Sequence, residues 1–302
     1  MSNTFFAPIG KVRNAITVDV EDYFHASAFD RVVARASWDE YESRVVPNTH
    51  RLLDLFDERQ VKGTFFVLGW VAKKFPELVR DIAARGHELA SHGFHHQLVY
   101  MLTPAQFRDD IRRAKGTIEQ AGGVRVRGYR APSFSIVRSS LWALDVLIEE
   151  GHTYDASIFP IHHDRYGIAD APRASHVIQR ASGSIVEMPA STVRIGGTNY
   201  PIAGGGYFRL FPYAATKWGI ARVNQRDGEP VVLYIHPWEV DPDQPRLAAS
   251  RTTQLRHHVG MNTTLDKLRQ VTTDFSFGPI MDVLDARAQR AVPSTARWAH
   301  AK

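Results

Sequence analysis

Apolar and polar positions change period repeatedly along the first half of the chain. "NAITVDVE" (14–21) is a β-branched run that ends in acids, the pattern of a buried strand. "NTHRLLDLFDERQ" (48–60) sets Leu52, Leu55 and Phe56 on one helical face. "KGTFFVLG" (62–69) predicts a second strand, and "PELVRDIAARG" (76–86) a helix that opens on proline and closes at glycine. "HELASH" (87–92) predicts a short strand. "TPAQFRDDIRRAKGTIEQAGG" (103–123) has a threonine cap, proline in the first turn, and Phe107, Ile111, Ala114 and Ile118 at helical spacing. "SSLWALDVLIEEG" (139–151) repeats that formula, and "VVLYIHPWEV" (231–240) predicts a late buried strand. Strands alternating with helices predict parallel strands in an α/β sheet or barrel.

Residues 160–230 break the rhythm. They are rich in glycine, proline and turn formers, as in "GGTNYPIAGGGYFRLFPY", and predict strands and long loops inserted before the last barrel strand. The expected organisation is one domain over 1–285, with that insertion, a C-terminal extension over 241–285, and an unstructured tail over 286–302. No apolar run approaches the roughly 18–20 residues that span a bilayer. The first residues lack the basic and apolar regions of a secretory signal. The expectation is therefore a cytoplasmic chain, with action in the periplasm or at the envelope left open.

Composition narrows the chemistry. Of 302 residues, 44% are hydrophobic and 23% charged, as in ordinary globular proteins. There is no cysteine, which excludes thiolate metal sites, a thiol nucleophile and disulfides. The net charge of +5 is not concentrated in a Lys/Arg block with interleaved aromatics, so no nucleic-acid partner is expected.

The stretch "HELASHGFHH" (87–96) places four histidines near a strand end. His92 and His96 are four apart, so on a helical turn both imidazoles would face one cation. His87 and His95 fit structural or outer roles better. In "TVDVED" (17–22), Asp19, Glu21 and Asp22 crowd a strand exit, where carboxylates face the site in barrel folds. So close together they repel unless a cation is near. "GYRAPSFS" (128–135) offers Arg130, "YDASIFP" (154–160) Asp155, and "LYIHPWE" (233–239) His236. Each alone could be a buried, satisfied polar group.

Together and in this order, "TVDVED", "SHGFHH", "GYRAPSF", "YDAS" and "LYIHPWE" resemble the five motifs of the polysaccharide deacetylases, the NodB-homology or carbohydrate esterase family 4 group. The resemblance covers about residues 12–240. "LRHHVGMNTTLDKLRQVTTDFSF" and the "GGGYFRLFPY" loop are similar to the extension of a branch found in exosortase-associated exopolysaccharide loci. The resemblance implies a distorted (β/α) barrel with fewer than eight strands. It implies Asp19 as general base, Arg130 as the residue orienting it, His92 and His96 as the metal pair, His236 as general acid and Asp155 as the acid tuning it. Where the family commonly has a second aspartate, this chain has Val20, so Glu21 or Asp22 must complete the metal set. Glu21 is favoured because it shares a strand face with Asp19, as in a D-x-D variant of the family. Gly93 stands where many members have Ser or Thr, removing one loop-fixing hydrogen bond.

The implied reaction is hydrolysis of N-acetyl groups on an amino-sugar polymer, with a divalent metal, Zn²⁺ first and Co²⁺, Ni²⁺ or Fe²⁺ as alternatives. Tyr207, Phe208 and Trp238, with Phe134, are candidates for stacking on pyranose faces, although ordinary core roles fit them equally. The alternatives to a sugar deacetylase are a hydrolase of small cyclic amides or imides on the same fold, and an inactive sugar-binding module.

Overall fold

The computed structural model describes residues 12–288 and the backbone of residues 295 and 296. In chain order the strands are β1 (Asn14–Val20), β2 (Thr64–Val67), β3 (Glu88–Ser91), β4 (Gly128–Tyr129), β5 (Tyr154–Asp155), β6 (His176–Arg180), β7 (Gly183–Glu187), β8 (Thr192–Ile195), β9 (Thr198–Pro201), β10 (Val232–Ile235) and β11 (Phe277–Gly278). The helices are α1 (Val45–Glu58), α2 (Gly69–Lys74), α3 (Pro76–Ala84), α4 (Pro104–Gly122), α5 (Trp142–Glu149), α6 (Gly205–Leu210), α7 (Tyr213–Arg222), α8 (Arg251–His258), α9 (Met261–Asp274) and α10 (Ile280–Ala288).

Neighbouring strands run β10–β1–β2–β3–β4–β5–β7–β6, with β11 also beside β1. From β10 to β7 every pairing is parallel. The result is a distorted α/β barrel with seven parallel strands. All seven residues of β1 are buried, as are all four of β2 and of β10. Burial on both faces is why these strands read as continuous apolar runs. α4 begins on a reciprocal cap between Thr103 and Gln106 and ends at Gly123 with φ 68°. Its buried residues are the expected four, Phe107, Ile111, Ala114 and Ile118.

Two expectations are corrected. Residues 160–230 are not only strands and loops: after the β6–β7 and β8–β9 hairpins they form α6 and α7. α6 is six residues long and begins at consecutive glycines, so it is too short to show a period. Of the tail expected from residue 286, residues 286–288 belong to α10 and residues 295–296 pair in parallel with β6. The other residues of that expected tail lie outside the described residues. No described helix is long and apolar enough to cross a membrane.

Candidate active site

Parallel strands present all their C-terminal ends on one face, where α/β barrels carry their sites. Here β1 delivers Asp19 and then Glu21, β3 delivers His92, β4 delivers Arg130 and β10 delivers His236. All but His236 are nearly inaccessible, and His236 has a side chain 17% exposed.

Two adjacent constellations result. In the first, Arg130 Nη1 donates to Asp19 Oδ1 at 2.6 Å and to Thr17 Oγ1 at 2.8 Å, while its Nε donates to the Ala156 carbonyl. That leaves Asp19 Oδ2 facing His236 Nε2 at 3.7 Å. In the second, nitrogen or carboxylate atoms of Glu21, His92 and His96 lie within 4.8 Å of one another. His96 Nε2 is 2.7 Å from Glu21 Oε2, yet that buried oxygen accepts no well-aligned hydrogen bond. His92 Nδ1 is taken by the Arg130 carbonyl at 2.8 Å; a carbonyl only accepts, so Nδ1 carries the hydrogen and Nε2 keeps its lone pair. Burial, opposed by nearby carboxylates, pushes the His92 pKa down to about 4, which keeps that lone pair available. Glu21 is raised by burial but lowered more by His96, His236 and His92, and ends well below the usual carboxylate range. A buried carboxylate and two neutral-capable imidazoles form a donor set that suits a divalent transition metal.

The histidine pair does not lie on a helical turn. Residues 92–98 are irregular, with Gly93 at φ 74° and His96 at φ 51°. A left-handed non-glycine residue costs free energy; here it turns His96 back toward Glu21. The loop is fixed by Asp110 of α4, which accepts from the backbone N–H groups of Phe94 and His95. A Cβ at residue 93 would meet Asp110 Oδ2 at 2.8 Å. Glycine at 93 therefore makes room for a carboxylate that performs the loop-fixing expected of a Ser or Thr.

Three expected residues occupy other places. Asp22 is not with the metal-ligand cluster. Its carboxylate caps the turn at Tyr23 and accepts from Ser43 Oγ and from the N–H groups of Arg44 and Val45. Asp155 does not pair with His236. It accepts from Ser157 Oγ at 2.5 Å and adjoins buried Glu187, and burial raises its pKa to about 6. The carboxylate on His236 Nδ1 is Glu239 Oε1 at 3.0 Å. Burial depresses the His236 pKa, but Glu239, Glu21 and Asp19 outweigh it and lift it to about 9. Phe208 is fully buried in the main core, which removes it from any sugar platform.

Trp238 and Phe134 border a cavity of about 210 Å³ that Asp19, Glu21, His92, His96 and His236 all line. Phe134, Tyr166, Tyr234 and Trp238 form its apolar walls. Trp238 stacks on His236 at 5.0 Å between ring centres and donates its indole N–H to Glu21 Oε1. Tyr207, a fourth expected residue placed elsewhere, does not line the cavity and instead neighbours Tyr166, which does. His87 is structural, its Nδ1 accepting from the Gly63 N–H. Glu239, Asp110 and Tyr166 carried no assignment from the sequence; only Glu239, three residues past His236 in the same motif, gave a local signal.

Residues 29–147 match the family model described as Polysaccharide deacetylase. In that segment the chain is similar to the polysaccharide deacetylase family. Residues 156–285 match a second model, described as Domain of unknown function (DUF3473). Over 98 residues the chain is 31% identical to the Peptidoglycan-N-acetylglucosamine deacetylase of Bacillus cereus, covering 32% of this chain and 36% of that one. Over 100 residues it is 34% identical to a Chitooligosaccharide deacetylase of Bradyrhizobium, covering 33% and 43%. The chain thus spans well under half the length of these relatives. A crystal structure from Mycobacterium smegmatis, provisionally assigned as a polysaccharide deacetylase, superimposes with a TM-score of 0.61 at 23% identity. The match covers 97% of this chain and 98% of that one and shows a shared fold.

Proposed function

We propose that this chain hydrolyses N-acetyl groups of an amino-sugar polymer, releasing acetate and a free amine. The observation that carries this reading is one cavity lined by the Glu21–His92–His96 cluster and by Asp19, which Arg130 grips from behind, with His236 Nε2 3.7 Å from both Asp19 and Glu21. The orphaned buried Glu21 Oε2, the two imidazoles beside it and the absence of cysteine suit a divalent cation, Zn²⁺ first, with Co²⁺, Ni²⁺ or Fe²⁺ fitting similar donors. Such an ion, held by Glu21, His92 and His96, supplies Lewis acidity toward an amide carbonyl and toward water.

The rest is the work of the chain's own groups. Asp19 Oδ2, the oxygen left free by Arg130, takes the proton of the attacking water. Arg130 cannot accept that proton and holds the carboxylate in place. The imidazolium of His236 gives its Nε2 proton to the departing nitrogen, so amide and water become acetate and amine. Trp238, Tyr166 and Phe134 exclude water and offer flat faces to pyranose rings. The motif resemblance favours an exopolysaccharide as the polymer.

The test is acetate release from partially acetylated β-1,4 and β-1,6 glucosamine oligomers, with metal analysis of the same sample. Release should track metal content and should vanish in His92→Ala. Metal-replete protein that releases acetate from neither series would sink the proposal.

A further inference from the structure

His236 is held on more sides than a proton donor needs for simple burial. Its ring stacks on Trp238 at an interplanar angle of 19°, and Trp238 stacks on His257 at 4.3 Å and 18°. This column fixes the plane of the imidazole but not its rotation within that plane. Glu239 supplies that constraint. A carboxylate oxygen only accepts, so the 3.0 Å contact assigns the hydrogen to Nδ1 and turns Nε2 toward Asp19 Oδ2 and Glu21 Oε1, each 3.7 Å away.

Glu239 is itself fully buried, and a buried carboxylate needs a nearby positive charge or several donors. Arg209 answers it. Its Nε lies 3.5 Å from Glu239 Oε1, and its guanidinium sits 5.1 Å over the Trp238 ring. Among the described residues neither Arg209 Nε nor Glu239 Oε2 has a hydrogen-bond partner, so the two side chains meet as a buried ion pair. The far end of Arg209 is anchored, with Nη1 donating to the carbonyls of His257 at 2.5 Å and Val259 at 2.9 Å. α6 and the α8–α9 corner therefore grip one arginine that reaches the loop after β10.

We infer that Glu239 and Arg209 are positioning residues: Glu239 aims His236 Nε2 at the departing nitrogen, and Arg209 holds Glu239. The inference rests on the proposed role of His236, and it gives the DUF3473-matching residues a chemical task, the support of the proton donor.

The experiment compares wild type with Glu239→Gln, Arg209→Met and Arg209→Lys on two acetylated substrates, a glucosamine oligomer (an amide) and an activated aryl acetate (an ester whose leaving group needs little protonation). Glu239→Gln should lower kcat on the amide by roughly 10–100-fold, the usual effect of losing an outer partner of a working group, with KM little changed. The ester rate should fall by less than about 3-fold, since little donor catalysis is at stake there. Arg209→Met should reproduce this selectivity and Arg209→Lys should restore most of the amide rate. Equal losses on amide and ester, or Glu239→Gln indistinguishable from wild type, would overturn the inference. A second reading is independent of turnover: proton NMR of wild type should show a hydrogen-bonded Nδ1–H signal from His236 that is lost or moved upfield in Glu239→Gln. An unchanged signal rejects the role of Glu239. Failure of wild type to release acetate from any oligomer, with this signal behaving as expected, rejects the substrate and leaves the positioning intact.

Discussion

At the scale of single residues, neighbouring carboxylates differ in what surrounds them. Glu21 has an orphaned oxygen beside His96, whereas every strong acceptor position on Asp22 is used by backbone and Ser43. Glu21→Gln should strip a bound divalent ion, by orders of magnitude in affinity. Asp22→Asn should keep the ion and lower stability by about 1–3 kcal/mol, the cost of unsettling several buried donors. Metal titration beside thermal melting separates the two, and the reverse pattern would exchange their roles. Asp155 and Glu187 form a different case. Both are buried and both are raised, Asp155 to about 6, with burial the main cause. A carboxyl whose folded pKa exceeds its unfolded one binds protons more tightly when folded. Its contribution is therefore present at low pH and is lost as pH rises, for Asp155 between about 4 and 6, with Glu187 acting in the same direction. Glu187→Gln imitates the protonated partner. Its stability relative to wild type should rise between pH 5 and pH 8, on the order of 1–3 kcal/mol. A stability difference that stays constant across that range would show that the pair does not share a proton.

At the scale of elements, the strand ends were legible because β-branched runs stop at glycine, proline or acids, and the barrel puts those stops on one face. Asp19, His92, Arg130 and His236 sit where the motif order places them. The connections between elements were not legible. Asp110 stands 16 residues from Phe94 in sequence, on the far side of a loop, and Glu187 lies on a hairpin that ordinary turn signals could not register against β5. The motif resemblance made Asp155 the acid tuning His236, but β5 delivers it beside β7 instead. The loop after β3 gives a direct test. Gly93→Ala would place a Cβ 2.8 Å from Asp110 Oδ2 at a left-handed residue, costing about 1–2 kcal/mol for the backbone alone. Asp110→Ala, which touches no ligand atom, should lower metal affinity about 10–100-fold by releasing Phe94 and His95. Isothermal titration with Zn²⁺ reads this, and unchanged affinity would show that the loop holds itself.

At the scale of the whole molecule, the main core draws on both ends of the described chain. Ile16 and Val18 of β1 share it with Leu268 and Val271 of α9 and with Phe277 of β11. β11 pairs with β1, and the Ile280 N–H donates to Thr64 Oγ1 of β2. We propose on these contacts that residues up to about 285 fold as one unit. Thermal unfolding should be a single transition with coincident near-ultraviolet and far-ultraviolet signals. A chain ending at residue 240 should fail to give a native-like spectrum. Two separated transitions, or a folded truncated chain, would mark the extension as a domain of its own.

The site's construction also bears on inheritance. The strands carrying His92, His96 and Arg130 lie within or directly beside the segment shared with known deacetylases, while His236, Glu239 and Arg209 lie in the segment matched by the other family model. Neither segment holds the whole site, and Asp19 and Glu21 precede both. On the proposed mechanism, a recombination event that exchanged one segment for a distant relative's would part His92 and His96 from His236, and a gene fragment encoding either alone would lack part of the machinery. The two segments can diverge only in step, with the stack of His236, Trp238 and His257 as the place where a mismatch would be felt first.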